Sequence, residues 1–446
     1  MTNSLRLAFC LSASVALPAC SGCESAPSGG TAPAALSTSS VAPHASSSAA
    51  SPVVRPERRT TSEGIALANL DGQIAELERH VVSRPGDLSL RSELVGRLLL
   101  RARWLGHATD LARAVELGEP APDAHADAVE AWLLRARTRA AAHRFAEALA
   151  DLDVAATKTR DAGLWRAQRG SVLAALGRWD EALVLLEEER KLWPKPANLM
   201  MEAALRAEMG DAATAQRLFM HAEIEHRDPS PIELVTILEA RAAASEREGE
   251  LATASALYRE ASARLPRHAH VATHLAALLP PSEGIALLAP LADEQADPDL
   301  LATLGSLKEL VEAGRGAGEL ARASRRFDEL TAKLPQAYAD HAAHFYLGAG
   351  KNGDKALRHA LVNLEARKTP EAYELALRAL EVSGMKPRAC ELAAEASTLR
   401  YATPSLRERI RGLGCAGAPA SAPPSASPAS SVSAHAPSSP LSAAPR

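Results

Sequence analysis

The chain has 446 residues, 23% of them charged and 3% aromatic, with a formal net charge of −4 and a pI near 6.4. That balance supplies no basic footprint for nucleic acid, which needs a surface rich in Lys and Arg to neutralise phosphates. With so few aromatics the interior falls to Leu and Ala, and about 350 folded residues would strain a single globular core, whereas a linear array lengthens its core with the chain.

Residues 1–19 open with Arg6 and an apolar run from Leu7 to Leu17, too short to span a bilayer, and lead into Leu17-Pro18-Ala19-Cys20. This resembles a bacterial lipoprotein signal peptide, with an aliphatic residue at −3, a small one at −1 and then the cysteine. The resemblance implies cleavage before Cys20, lipidation of Cys20, and a chain held on a membrane by acyl groups without a spanning helix. Ser21, a residue other than Asp after the cysteine, implies a place in the cell envelope at the outer membrane, facing the periplasm or the surface. Pro18 departs from the small residue preferred at −2, and the alternative is an ordinary cleaved signal with Cys20 an incidental thiol. Residues 20–60 are Ser, Ala, Pro, Thr and Gly with few large apolar side chains. They cannot bury a core and read as a disordered tether; residues 416–446 read as a disordered tail of the same kind.

Between the tails, Pro85, Pro120, Pro194, Pro229, Pro266, Pro298, Pro335, Pro370 and Pro404 fall in steps of 32–37 residues, with one rung missing between 120 and 194. A period near 34 predicts paired helices in a repeat array. Within one period, Gly170, Gly177, Trp179, Ala182, Leu186 and Pro194 follow in order. Gly177 is placed to end a first helix in the left-handed conformation, Asp180 and Glu181 to open a second at its positive dipole end, and Pro194 to stop it. Trp132, Ala136, Phe145, Ala148 and Ala155 take the matching positions one unit upstream. Gly210 to Ala215 with Phe219, then Gly249 to Ala254 with Tyr258, Ala261 and Pro266, repeat them downstream. A last copy runs through Gly384, Ala389, Ala393 and Ala396.

This pattern resembles the tetratricopeptide repeat (TPR). It implies an all-α fold: a right-handed superhelical α-solenoid of TPR-like helix hairpins, roughly nine of them, flanked by the disordered tails. The repeats are clear over 129–268. Residues 61–128 and 269–369 keep the length and the Ala-rich pattern without most signature residues and read as degenerate helical repeats, and 370–415 as a C-terminal TPR-like repeat and cap. In the repeat family, first helices line a concave groove that holds a peptide or partner helix. Carried over from the Gly177 register, groove positions here are Arg137, Gln168, Ser171, Met200, Met201, Glu239 and Glu246. Only Arg137 meets the demands of a carboxylate clamp, whereas Met200 and Met201 suit an adaptable apolar contact. The implied partner is a protein or peptide, and the implied role a non-catalytic interaction scaffold of the envelope. An assembly subunit docking by its outer face is the alternative, and a cell-wall lytic enzyme a lesser one, since the sole Glu-Ser pair, Glu24-Ser25, lies in the tether.

No chemistry, cofactor or metal is expected. His268, His270 and His274 have a ligand-like spacing, but no carboxylate or cysteine follows close in sequence to complete a set. His341 and His344 read as helix packing. Gly314, Gly316 and Gly318 follow no strand, so the dinucleotide fingerprint fails. Asp151 and Asp153 read as a solvated helix face. Cys390, on the last clear second helix, and Cys415, after a short capping helix over Ser405 to Arg411, either pair to staple the end of the array or stay as two separate thiols.

Overall fold

A computed structural model describes residues 59–415, and they form helices joined by short turns with no strand among them. Cys20, Glu24-Ser25, the tether before Arg59 and the tail from 416 lie outside the described residues. No helix among the described residues is long and apolar enough to cross a membrane. The helices are α1 (Glu63–Ser83), α2 (Leu88–Leu105), α3 (Ala108–Gly118), a short α4 (Ala121–Ala124), α5 (Val129–Ala141), α6 (Phe145–Lys158), α7 (Arg166–Ala175), α8 (Trp179–Leu192), α9 (Pro196–Glu208) and α10 (Ala212–Glu225). They continue with α11 (Pro231–Arg247), α12 (Leu251–Arg264), α13 (Ala269–Leu278), α14 (Pro281–Glu294), α15 (Pro298–Val311), α16 (Ala317–Lys333), α17 (Ala339–Leu347), α18 (Gly353–Ala366), α19 (Pro370–Val382), α20 (Lys386–Ala396) and α21 (Pro404–Gly412).

Nine antiparallel hairpins follow in chain order among the described residues: α2–α3, α5–α6, α7–α8, α9–α10, α11–α12, α13–α14, α15–α16, α17–α18 and α19–α20. The stretches that lack signature residues pair in the same way as 129–268. The chain is thus an all-α superhelical solenoid of TPR-like hairpins. Its second helices share one buried ridge at i, i+4 and i+7: Ala148, Leu152 and Ala155; Ala215, Phe219 and Ala222; Ala254, Tyr258 and Ala261; Ala389, Ala393 and Ala396. Alanine at the ends of each triplet lets the helix axes approach, and in the first three a larger side chain in the middle fills the gap, whereas α20 keeps alanine there too. Small second-helix ridges of this kind bury little area singly, so the hairpins stand only by stacking.

Prolines mark the joints between hairpins from both sides. Pro194 follows the end of α8, whereas Pro298, Pro370 and Pro404 take the first position of α15, α19 and α21, where a missing N–H costs nothing. The absent rung is the α6–α7 connection, a proline-free segment with one 3-10 turn at Ala162–Leu164. Inside the hairpins, Gly177, Gly210, Gly249 and Gly384 all have positive φ. Thirty-four residues before Gly177 the same left-handed position is held by His143 at φ 58.

One reading changes. Asp151 is 2% exposed and accepts from both Arg135 and Arg139 on α5. Its neighbour Asp153 remains on the surface, paired with Arg169. Two residues apart on a helix is about 200° of rotation, so one carboxylate faces the partner helix and the other faces water.

The solenoid coils tightly enough to meet itself. The turn of α2–α3 at Gly106 lies against Asp297, which caps α15. The turn of α5–α6 brings His143 to the backbone of Gln336 beside Asp340 and Arg367. The turn of α7–α8 presents Leu176 O to Lys368 N at 3.4 Å, just before α19. Each contact joins a hairpin to the one six places further on, which closes one superhelical turn onto the next. A Cβ on Gly177 would meet Lys368 O at 2.5 Å, whereas one on Gly249 meets nothing within 4 Å. Gly249→Ala should therefore lose only the left-handed strain of ~1–2 kcal/mol, and Gly177→Ala clearly more, in urea unfolding followed by circular dichroism. Equal losses would mean that the turns do not touch.

Candidate functional site

The coil encloses a central channel of about 980 Å³. The inner faces of α7, α9, α11 and α19 supply a wall of small apolar side chains, among them Val172, Ala204, Ile237, Ala240, Ala244 and Leu375. This follows from the pairing: second helices bury one ridge against their own partner, so first helices present their free face inward. Polar side chains share the lining: Arg103, His270, Asp297, Asp299, Tyr338 and His341 come from α2, α13, α15, α17 and their caps, and Glu208, Glu239, Arg247 and Glu371 from α9, α11 and α19.

Of the seven groove positions read from the sequence, Arg137, Ser171, Met200, Met201 and Glu239 line this channel. They do so less openly than a solvated groove would allow. Met200 and Met201 are 5% and 3% exposed and pack into the cores between α7–α8 and α11. Ser171 Oγ lies 3.2 Å from Met201 Sδ. Gln168 and Glu246 are not among the lining residues. Gln168 donates to Leu133 O on the preceding hairpin at 3.2 Å, and Glu246 accepts from Tyr258 and faces His274 Nδ1 at 3.3 Å.

The histidine cluster also departs from its sequence reading. Two carboxylates do complete its surroundings, brought by α11 from 28 to 31 residues upstream. Glu239 sits 2.6 Å from His270 Nδ1 and 2.8 Å from Arg103 Nη2. Burial alone would raise Glu239, but Arg103 and His268 hold it well below the usual carboxylate range. Burial pushes His268 down to about 4. A guanidinium on the same carboxylate disfavours a metal cation there, and the described residues contain no metal-binding group of three His, Cys, Asp or Glu.

A second polar cluster, absent from the sequence reading, forms where the turns of the coil meet. His341 Nδ1 is 2.9 Å from Asp299 Oδ2. Burial would depress this imidazole, but Asp299 and Asp340 outweigh burial and hold it protonated, up to about 10. His341 and His344 are therefore not simple helix packing: both line the channel, and His344, buried beside Arg378, is pushed down to about 4. Burial and then Asp299 raise Asp297 to about 6. Across the channel, Glu208 pairs with Arg247 and shares a hydrogen bond with Glu371 of α19. Burial and that neighbouring carboxylate raise Glu208 to about 8, so the pair keeps a proton that ordinary glutamates would lose. Glu208 and Glu371 come from hairpins five places apart, and Asp297, Asp299, His341 and His344 from low-signature repeats, so no local motif announces them.

At the C-terminal end, Cys390 on α20 and Cys415 after α21 are joined as a disulfide, with Cα atoms 5.6 Å apart. With 25 residues between them, opening that loop by reduction should lower the stability of α20–α21 by about 3 kcal/mol on the chain-entropy view. Faster amide exchange over 386–412 with the rest unchanged is the expected readout.

No protein-family model matches the chain, and no curated protein matches it. Solved structures with a similar course include the Cut9 and Hcn1 hetero-tetramer of the APC/C, at 16% identity over 73% of this chain and 62% of that one, with a TM-score of 0.39. Human IFIT1 in a dimer with PPP-AAAA is similar at 16% identity over 77% and 85%, TM-score 0.39, and the TPR domain of P58(IPK) at 19% over 72% and 97%, TM-score 0.22. The chain thus spans less than two thirds of the Cut9–Hcn1 chain it matches. The solenoid assignment stands on the pairing of this chain's own helices.

The channel's charges fix a pH dependence. Glu208 and His341 bind protons more tightly folded than unfolded, so their contributions are full below their ordinary values and are lost as pH rises toward about 8 and about 10. Buried His143 and His344, held near 4, act oppositely and destabilise as pH falls below the ordinary histidine value. Above the ordinary histidine value of 6.5, where His143 and His344 no longer add a slope, the melting temperature should therefore decline up to about pH 10, and Glu208→Gln should flatten the part of that decline that ends near pH 8. An unchanged limb below pH 8 in the variant would refute the shared proton.

Proposed function

We propose that this chain is a non-catalytic protein–protein interaction scaffold of the bacterial cell envelope, anchored through a lipid on Cys20, that takes a peptide segment of a partner into the central channel. The observation carrying this reading is the channel itself, at the upper end of ligand-pocket volumes and lined by small apolar and polar side chains together. Its five lining arginines, Arg97, Arg103, Arg137, Arg247 and Arg367, face seven carboxylates, of which Glu208 and Asp297 lean toward neutrality. The near balance suits an uncharged segment with small apolar side chains better than a strongly charged one. A second reading, docking by the outer face, is favoured by Val184, Leu192 and Trp193 of the α8 region and Met220 and Ile224 of α10, all roughly half or more exposed. The lipid anchor rests on the Leu17-to-Cys20 pattern and the outer-membrane location on Ser21, and loss of metabolic acyl labelling in Cys20→Ala would support the anchor.

A photo-crosslinking residue at Ala204, inside the channel, and another at Val184, outside it, separate the two readings in intact cells. Channel binding predicts a discrete adduct from position 204 that disappears when Ala240→Trp fills the channel. Adducts from position 184 alone would transfer the function to the outer face.

A further inference from the structure

The two ends of the inter-turn seam are built differently. At one end α1 and α2 are welded to α11–α13 by a continuous apolar core that includes Leu70, Leu94, Leu98, Leu238, Tyr258 and Leu275. Polar contacts add to it: Thr61 N donates to Pro229 O at 2.8 Å, Arg267 N to Glu63 Oε1 at 2.8 Å, and Arg103 to Glu239. At the other end, α19–α21 meet α7–α8 through a thin set of contacts. Lys368 N reaches Leu176 O at 3.4 Å, and Asp180 accepts from Tyr401 OH at 2.6 Å and from Arg400 Nη1 at 2.9 Å. Tyr401 leans on Trp179 with ring centroids 5.6 Å apart and is the sole α19–α21 residue packed against the α7–α8 core. Arg400 and Asp180 are 71% and 58% exposed, so that pair contributes little. Behind these contacts lies a gap of about 180 Å³.

From this asymmetry we infer that the C-terminal unit α19–α21 is a latch: it swings away from α7–α8 while the α1–α2 end stays fixed, and so admits the occupant of the channel. The geometry suits the role. Val172, Ala174 and Ala175 on α7 and Thr369, Ala372 and Leu375 on α19 line the channel on the two sides of this seam. Parting it opens the channel along its length without breaking any hairpin. The Cys390–Cys415 bond ties α21 to α20 across the end of the unit, so the latch moves as one piece. Helices α17 and α18 share one apolar core with α19–α21, through Ala343, Ala360 and Leu364, and so provide the hinge side.

The inference rests on the channel being the binding site, but its test reads opening without any ligand. A cysteine at Ala204, which lines the channel, is allowed to react with a maleimide in the full chain, and the adduct on the peptide containing residue 204 is followed by mass spectrometry. Asp180→Ala combined with Tyr401→Ala should speed that reaction about tenfold, the equivalent of losing a hydrogen-bonded aromatic contact. Arg409→Ala, which removes a pair with Glu381 inside the unit and none across the seam, should leave the rate alone. Equal rates in latched and unlatched chains, whether fast or slow, would overturn the latch while leaving crosslinking from position 204 to judge the channel. Should the double variant fold poorly, hydrogen exchange of the unaltered chain decides. Residues 366–372 and 399–402 must exchange ahead of α1 and α11, and the reverse order would sink the proposal.

Discussion

The structure depends on the edge-to-edge contact between successive superhelical turns. A stack of helix hairpins fixes only nearest neighbours, and its interior surface stays open to water unless the coil closes. Here the turn of each early hairpin abuts the start of a first helix six hairpins on, and the inner surface becomes a channel. Closure needs backbone where side chains would intrude. Gly106 and Gly177 meet Asp297 and Lys368 at distances that no Cβ tolerates. In the hairpin between them the equivalent residue is His143, whose ring reaches across the seam instead.

Closure changes the physics of the inner residues. Glu239 would be solvated wall in an open groove; in the closed coil it is nearly buried, and Arg103 arrives from α2, four hairpins away, to compensate it. His341 takes its partner Asp299 from the neighbouring hairpin, and Met200 and Met201 are buried in the cores of their own and adjacent hairpins. A buried charge of either sign is stabilised only when its partner is present, so the Arg103–Glu239 pair makes the interior sensitive to anything that separates the turns. Glu208 and Glu371 are the clearest case, since two carboxyl groups share their site only by keeping a proton between them.

Much of the hairpin architecture was legible in the sequence because it is local. The glycine after Leu176, the acidic start of α8 and the alanine ridge at i, i+4 and i+7 are each readable within a dozen residues, and they recur. The flanks were harder: α13–α14 turns at Leu279-Pro280 without a left-handed glycine, and α17–α18 turns at Lys351, so the signature fades while the pairing persists. The site was legible only in part. Register placed Ser171 and Met200 on the inner face, but no periodicity within a hairpin tells which residue of a hairpin six units away will meet it. The misread residues show that even shorter reach escapes a linear pattern: the arginines of Asp151 sit on the other helix of its own hairpin, Glu239 and Glu246 lie one hairpin before the histidines of 268–274, and Asp299 lies one hairpin before His341.

The uneven seam has a consequence for how a closed solenoid can work at all. Were both ends welded by apolar core, entry to the channel would require unstacking hairpins, whose alanine ridges are interdigitated and whose separation exposes large apolar area. Were both ends polar, the coil would have no fixed frame and the inner ion pairs no fixed distance. One apolar end and one thin polar end allow the two demands to coexist. The N-terminal helices hold the register of the coil, and the C-terminal unit, stiffened by its own cross-link, moves against α7–α8 at the cost of an exposed ion pair, a tyrosine hydroxyl, one ring contact, the backbone bond from Lys368 to Leu176 and the Glu208–Glu371 contact to α9.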